Sequence, residues 1–501
     1  MPTSNNQHAT LKQIAFEINA DSSGGGDENA VILDLTHDSR QAKPQTLFVA
    51  IRGLMSDGHK FVDDVMQRGA VGVISELDKP QDFNGAWLKV QNARIALAQA
   101  ANVAQNYPSH KLNLVGITGT NGKTTTAYLI NALSNAANRK SAMLTTVEYR
   151  IGETGEPAVR TTPEASDTER FLRRAVEENC QTAVMKTSSQ ALDLHRCDAL
   201  KFEVAVFSNL TRDHLDYHGT MENYFDSKKR LFDGRLGDKP NTSAINVDDE
   251  YGRKLIAELR ASNQNVVTYG ISERADFNAK NIEVSILSGT KFQLVANGET
   301  FEMSSPLVGK PHVYNILAAT ATARSLGYDF ESIRRGIENC VGAPGRFERV
   351  PNDKGFAVVV DYAHTDDALL NTLKTARQLT SGKIITVFGC GGDRDKSKRA
   401  PMGEIAGKFS DYVILTSDNP RNENPLAIIN EIELGLKPTN RDYATISDRR
   451  EAIFSAISKA QKSDVVLIAG KGHENYQIIS DNKFHFDDRE IALEAITAVE
   501  S

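Results

Sequence analysis

The stretch that most limits what this chain can fold into is Leu114-Val-Gly-Ile-Thr-Gly-Thr-Asn-Gly-Lys-Thr-Thr-Thr126. An apolar run (Leu112, Leu114, Val115, Ile117) enters it, and Ala127-Tyr128-Leu129-Ile130 leaves it with helical spacing. Strand, glycine-rich turn, Gly-Lys-Thr and helix follow in the order that a phosphate-cradling loop requires. Successive backbone N–H groups and a helix N-terminus then face an anion. Gly119, Thr120, Asn121, Gly122, Lys123, Thr124 and Thr125 would line the nucleotide, with Lys123 on the terminal phosphates and the Thr124 hydroxyl on Mg²⁺. The generic spacing wants a glycine five residues before Gly122, where this chain has Ile117, so a bare pattern search misses the loop. The alternative reading is a Gly/Thr-rich β-turn with an exposed lysine, which the strand–helix junction disfavours.

A chain of 501 residues is too long for one core and suggests roughly three domains. Apolar content of 40% and charged content of 25% belong to an ordinary globular protein. A formal charge of −7 argues against a nucleic-acid binder, which needs a basic face. Cys180, Cys197, Cys340 and Cys390 are scattered, without zinc-ligand spacing or a disulfide framework. The N-terminus lacks the basic and apolar regions of a signal peptide, and no apolar run approaches the roughly 20 residues of a membrane span. The expectation is a soluble, reduced, cytoplasmic monomer without membrane insertion.

Taken in order, residues 1–110 alternate short strands (Val31–Leu35, Leu47–Ile51, Val71–Ile74) with a helical pattern at Phe61–Met66, after a compositionally flexible loop at Asp21–Glu28. Residues 111–341 begin at the phosphate loop. They continue with strands at Ser141–Thr145, Thr182–Met185 and Val204–Phe207, a helix from Pro163 to Cys180, and antiparallel strands between Asp276 and Phe301. Helices around Ile316 and Ile333 close this part. Residues 342–501 alternate again, with strands at Ala357–Val360, Lys383–Phe388, Asp411–Leu415 and Asp464–Ile468. The fold class is therefore α/β in three domains. A central parallel-sheet domain of P-loop type is flanked by a small N-terminal α/β domain and a Rossmann-like C-terminal one.

The variant Thr-Gly-Thr-Asn-Gly-Lys-Thr-Thr resembles the ATP loop of the Mur ligases, amide-forming enzymes of bacterial cell-wall synthesis, and further segments extend the resemblance along nearly the whole chain. It implies the same three domains, which bind a UDP-linked peptide, ATP and an amino-acid acceptor in that order. Asp38-Ser39-Arg40 and Asp57-Gly58-His59 resemble the uridine-side pocket, with Ser39 and Arg40 as contacts, although both tripeptides also read as turns. Thr161-Thr162-Pro163 matches a substrate-contacting turn. Ser188 and Arg196 match residues holding the carboxylate and neighbouring groups of the peptide.

The resemblance makes His214 a Mg²⁺ ligand and Lys228, not Lys229, a carbamylated lysine serving the same metal. Read alone, His214 is a hydrogen-bonded structural histidine and Lys228 a solvated helix-surface lysine. Asn315 would meet the adenine, Arg346 the phosphates and Asp361 the ribose, placing ATP between domains whose closure excludes water. Asp418-Asn419-Pro420-Arg421 resembles the motif of members that add meso-diaminopimelate. Arg421 and Arg394 would clamp that amino acid's far carboxylate, Glu474 its far amine, and Gly470 would line the pocket.

The chain departs from the family pattern in one segment. Lys186 stands at the usual glutamate that serves a second metal, Gln190 at a histidine, and Leu194 at a glutamine; Asp366 also replaces a proline. Three explanations of Lys186 stand side by side: a weakened or rebuilt metal site, a cation acting on phosphate directly, or a paralogue with reduced activity. The implied function is ATP-dependent addition of meso-diaminopimelate through an acyl phosphate. The alternatives are L-lysine or another diamine as acceptor, a catalytically weakened nucleotide-binding paralogue, and, more remotely, a folylpolyglutamate synthetase.

Overall fold

The computed structural model describes residues 8–22, 25–53 and 56–499. The chain divides into two compact units. The first gathers Met1–Ala279, Leu294–Thr300 and Tyr314–Ile337, and the second Lys280–Gln293, Phe301–Val313 and Glu338–Ser501.

The first unit opens with a five-stranded sheet in the order Asp21–Ser22, Ala86–Lys89, Gly72–Ser75, Thr46–Val49, Asp34–Thr36. All neighbours are parallel except the first pair. Apolar residues fill both faces: Leu47, Val49, Ile74 and Leu88 on one, Phe48, Val73 and Trp87 on the other. Continuous apolar runs of this kind suit strands covered on both sides. Two expectations change here. The segment expected to be a loop from Asp21 begins with two strand residues paired to Lys89 and Leu88, an edge pairing made by backbone that side chains do not announce. Ser23 and Gly24 lie outside the described residues. Val31 makes only an isolated bridge to Thr10, and the strand itself starts later, at Asp34.

The second sheet of this unit has the order Val266–Gly270, Thr242–Asn246, Val204–Phe207, Asn113–Thr118, Thr182–Lys186, Ser141–Leu144, all parallel. An antiparallel hairpin, Glu148–Ile151 and Thr154–Pro157, finishes that edge. The chain builds one side of Asn113–Thr118 first and then crosses to the other, so the order reverses at this central strand. Open α/β sheets hold ligands beyond the carboxyl ends of their strands at such a reversal. The segment expected to carry antiparallel strands forms Phe277–Ser285, Gly289–Ala296 and Glu299–Ser305, which continue the same sheet beyond Val266–Gly270; the first of them pairs with that strand in parallel, and the division between the units runs through them.

The second unit carries a six-stranded sheet in the order Glu348–Val350, Ala357–Asp361, Val465–Ala469, Ile384–Phe388, Tyr412–Leu415, Tyr443–Thr445, parallel except for the first strand. Helices such as Arg399–Phe409 and Arg449–Lys459 cover its faces over cores containing Val359, Leu415, Ile429 and Leu467 on one side and Val358, Ile414, Ile453 and Ile468 on the other. The four cysteines are free and buried. Among the described residues, no helix is long and apolar enough to cross a membrane.

Candidate active site

In the first unit the phosphate loop lies at the reversal point. The helix Lys123–Ala136 starts immediately after it and buries Thr126, Leu129, Ile130 and Leu133, the i, i+3, i+4, i+7 stripe of an amphipathic helix. Gly119 and Gly122 both have positive φ, +136° and +87°. A Cβ on Gly119 would lie 2.0 Å from Ser208 Oγ, and one on Gly122 would lie 2.3 Å from Asn315 Oδ1, so both positions need glycine on two counts. The strand Val204–Phe207 supplies the scaffold. Asn209 C=O accepts from the Thr120 N–H at 2.8 Å, its Oδ1 accepts from the Asn121 N–H at 2.9 Å, and Ser208 Oγ donates to Asn121 C=O at 2.6 Å. Lys123 Nζ folds back to donate to Gly119 C=O at 2.6 Å and Thr120 C=O at 2.7 Å. Thr124 is buried beneath the loop.

Lys228 corrects the expectation of a solvated lysine. It is 1% exposed, donates from Nζ to Gly119 C=O at 2.8 Å, and lies 4.4 Å from the centre of the Tyr224 ring. Thr220 caps the helix Met221–Lys229 by accepting from Asn223 N–H, fixing the phase that turns Lys228 inward. The next residue, Lys229, instead pairs with Glu258 at 3.0 Å. Burial pushes the Lys228 ammonium well below the usual lysine range. The nearby Lys123 and Lys186 charges push the same way, against Asp213.

His214 takes a left-handed conformation (φ +53°) and is half exposed, with Nε2 3.4 Å from Asp213 Oδ2. Its pKa is lowered, first by burial, then by Lys123 and Lys228, with Asp213 opposing. Burial thus works against the charged form of both groups. His218, beside it, bridges Ser189 Oγ (3.0 Å from Nε2) and Ser227 Oγ (3.4 Å from Nδ1).

The predicted peptide-binding residues form a connected group at the same rim. Thr162 Oγ1 donates to Lys186 C=O at 2.8 Å and accepts from Ser188 N–H at 3.2 Å, while Ser188 Oγ caps the following short helix through Ala191 N–H. Thr161 precedes this turn and is partly exposed. Arg196 donates to Thr162 C=O at 3.2 Å and pairs with Glu164 at 2.9 Å. Glu164 also takes Arg160 at 2.6 Å. Glu164 and Arg160 escaped the sequence reading, although Thr-Thr-Pro-Glu stands beside the matched turn.

Ser39 and Arg40 sit in a short 3₁₀ turn. The Arg40 guanidinium is exposed and held by Asp38 (2.7 Å), which also accepts from the Arg40 N–H. Asp57 accepts from the His59 N–H in the same manner, so the turn reading of both tripeptides is realised. Asn315 lies against Gly122, and its Oδ1 accepts from Thr126 Oγ1 at 3.4 Å.

In the second unit the predicted acceptor residues gather at the carboxyl ends of adjacent strands. Arg421 has φ +49° and donates from Nη1 to Gly392 C=O at 2.7 Å; its backbone bridges Ile479, in the two-stranded hairpin of Tyr476–Ile479 and Asn482–His485. Asn419 is buried. Its amide donates to Glu474 at 2.8 Å, while its Oδ1 accepts from Lys471 Nζ at 3.1 Å and Ile478 N–H at 2.9 Å. Asp418 is buried beside Gly470. Burial raises the Glu474 carboxyl above its usual range, Asp418 adds to this, and Lys471 opposes it. Arg394 and Arg421 both act electrostatically on Tyr476, so they share one neighbourhood.

Sequence reasoning missed Arg399, which is fully buried. It binds Glu423 and Glu431 at 2.9 Å each, and Gly391 C=O at 3.2 Å. Glu423 also accepts from Asp393 N–H, and these bonds hold its carboxyl down to about 2. Elsewhere on the rim, Asp361 accepts from Phe347 N–H at 2.7 Å, bracing the turn carrying Arg346, and from Thr372 Oγ1 of the helix Asp366–Leu379 at 3.1 Å. The Arg346 guanidinium lies 4.9 Å from the Tyr362 ring centre, and its buried Nε lacks a hydrogen-bond partner.

Comparison with known proteins agrees with this arrangement. A family model described as the Mur ligase middle domain matches residues 117–323, and one described as the Mur ligase glutamate ligase domain matches residues 345–472. The chain is 46% identical over 465 residues to a protein of Solibacter usitatus (strain Ellin6076) named UDP-N-acetylmuramoyl-L-alanyl-D-glutamate--2,6-diaminopimelate ligase, covering 93% of each. It is 46% identical over 512 residues to a protein of the same name from Geobacter metallireducens, covering 98% of this chain and 99% of the relative. A solved structure of a ligase with that name superposes with a TM-score of 0.73 at 33% identity, covering 98% of this chain and 99% of the other.

Proposed function

The chain belongs to the Mur ligase family, and we propose from this that it joins meso-2,6-diaminopimelate to the D-glutamate of UDP-N-acetylmuramoyl-L-alanyl-D-glutamate, with ATP as the energy source, in peptidoglycan precursor synthesis. The observation that carries the reading is the phosphate loop with Lys123 and the buried Lys228 both on Gly119 C=O.

The reaction has two steps. The glutamate γ-carboxylate attacks the γ-phosphorus of ATP, a P–O bond forms to the carboxylate, and the bond to ADP breaks. The acceptor's amine then attacks the acyl carbon, phosphate leaves, and the amine's proton passes to solvent or to a base. Activation as a mixed anhydride replaces a poor leaving group with phosphate, so the protein's task is positioning and charge stabilisation. Lys123 leaves its carbonyl partners for the terminal phosphates, and the loop N–H groups accept the charge that accumulates on ADP. Thr161, Thr162, Ser188 and Arg196 orient the peptide, and Ser39 and Arg40 the uridine end. Asn315, Arg346 and Asp361 complete the nucleotide contacts. Asp418, Asn419, Gly470 and Glu474 receive the amino acid, while Arg394 and Arg421 pair with its far carboxylate. Lysine brings the same far ammonium but no carboxylate, so both guanidinium groups would be left unpaired beside a cation.

Whether these residues fit Mg²⁺ depends on position. Among the described residues, no group of three or more His, Cys, Asp or Glu side chains is placed to hold a metal ion. Addition of CO₂ to the Lys228 amine, with loss of a proton, would give a carbamate, and burial that disfavours the ammonium supports this. With His214 that carbamate then offers a hard cation an anionic oxygen and a neutral nitrogen. A Mg²⁺ so held would neutralise phosphate charge as the acyl phosphate forms. Lys186 brings a cation, not an anionic donor, to the end of the neighbouring strand.

The test is transfer of ¹⁸O from a labelled glutamate γ-carboxylate into the phosphate released during amide formation. The expected result is one labelled oxygen per released phosphate. Amide formation with unlabelled phosphate would rule out the acyl-phosphate route.

A further inference from the structure

We infer that the Lys186 ammonium is itself a phosphate-binding group of the reaction, supplying at the rim of the phosphate loop the positive charge that a second divalent cation would otherwise supply. The inference rests on the ligase reading above and adds a residue to it.

Lys186 is the last residue of the strand Thr182–Lys186 and stands in register with Ile117, directly before the phosphate loop. Thr187 donates to Ile117 C=O from its N–H at 2.9 Å and its Oγ1 at 3.1 Å. The Lys186 carbonyl accepts from Thr162 Oγ1 at 2.8 Å, and its Nζ donates to Thr146 Oγ1 at 2.7 Å, past the end of the neighbouring strand Ser141–Leu144. The side chain is thus held at the carboxyl rim where a doubly wound sheet presents its ligand. Lys123 and Lys228 reach the same rim, each on Gly119 C=O, and Lys186 is close enough to act on the Lys228 charge.

Three lysines and the first turn of the helix Lys123–Ala136 therefore converge on one place, with Asp213 the carboxylate that acts on Lys228 from the other side. Mg²⁺ in a phosphate site takes one or two carboxylates together with phosphate oxygens and retained waters. At the end of its strand this chain offers an ammonium, held on Thr146 Oγ1, and a divalent ion there would meet the charge of Lys186. An ammonium gives a phosphate oxygen what the ion gives, a compact positive charge with donors, and needs no carboxylate to hold it. Such a fixed cation stabilises the charge developing between the γ-phosphate and ADP without reorganising.

The experiment measures ATP affinity of the full chain by calorimetry, with Mg²⁺ and after chelation, for the native protein and for Lys186→Arg, Lys186→Met and Lys186→Glu, each checked for a native melting transition. Native protein and Lys186→Arg should bind metal-free ATP within about tenfold of their Mg²⁺ affinity. Lys186→Met should lose roughly ten- to a hundredfold in the metal-free arm, the worth of one charge-assisted hydrogen bond. Lys186→Glu should bind only weakly until Mg²⁺ is added. A loss well beyond a hundredfold when the native protein is chelated would overturn the inference, as would unchanged metal-free binding in Lys186→Met. If Lys186→Met does not fold, the native protein and Lys186→Arg decide. Tripeptide formation by the native protein, measured separately, would show that the ligase reading survives such a failure. Absence of ATP binding in both arms would end both.

Discussion

Arg421 has the most to say about which amino acid is accepted. Its left-handed backbone and its bond to Gly392 C=O fix the guanidinium before any ligand arrives. Losing a charge-assisted pair costs about 1.5–3 kcal/mol, so Arg421→Gln should raise the KM for meso-diaminopimelate roughly ten- to a hundredfold while ATP affinity stays unchanged. Steady-state kinetics with each substrate varied in turn would check this, and equal losses for both would refute the clamp. His312 governs a different property. It is fully buried, its Nδ1 has no hydrogen-bond partner, and burial lowers its pKa to about 4. The unfolded chain protonates this ring near pH 6.5, so stability from it is complete above 6.5. That stability declines as pH falls from 6.5 toward 4, by up to about 3 kcal/mol. Urea unfolding between pH 7.5 and 4.5 should show that slope, and His312→Gln should flatten it.

At the scale of elements, the acceptor site depends on a buried ion pair. Arg399 stands on the helix Arg399–Phe409 and ties Glu423, next to the Arg421 turn, to Gly391 at the start of the loop bearing Arg394. Its carboxylate partners are partly exposed, so removing the Arg399 guanidinium costs about 1.5–3 kcal/mol, the worth of charge-assisted hydrogen bonds. Arg399→Met should therefore lower the thermal midpoint by several degrees and raise the acceptor's KM more than that of ATP. A variant that melts earlier but keeps its acceptor KM would make Arg399 purely structural. The run Lys396-Ser-Lys-Arg399 reads as a solvated charged turn, and nothing in its spacing marks which member turns inward. The same difficulty hid the burial of Lys228 within Lys228-Lys229-Arg230. By contrast, the strands Thr182–Lys186, Val204–Phe207 and Val465–Ala469 were legible because continuous apolar runs bounded by polar residues have few other solutions. The helix Ala93–Ala104 was not singled out, since six alanines in ARIALAQAANVA blur the periodic contrast.

For the whole molecule, most of the predicted functional residues collect at the carboxyl rims of parallel sheets, while Ser39 and Arg40 follow a strand of the first unit's smaller sheet and Asn315 stands on the helix Lys310–Ser325. That outcome follows from strand order more than from any single motif. The phosphate loop was readable because it compresses strand, turn and helix into a short stretch with few alternatives. The acceptor rim was readable only as a set of separate segments resembling a family, because Asp361, Gly391, Asp418 and Gly470 are brought together by tertiary structure. The measurement that bears most directly on the account is tripeptide formation, by mass, from UDP-N-acetylmuramoyl-L-alanyl-D-glutamate and ATP with meso-diaminopimelate, L-lysine and L-ornithine offered separately. The account predicts product with meso-diaminopimelate and, at equal concentration, little or none with the other two. Product with lysine at comparable rates, or none with any amine despite ATP binding, would contradict it.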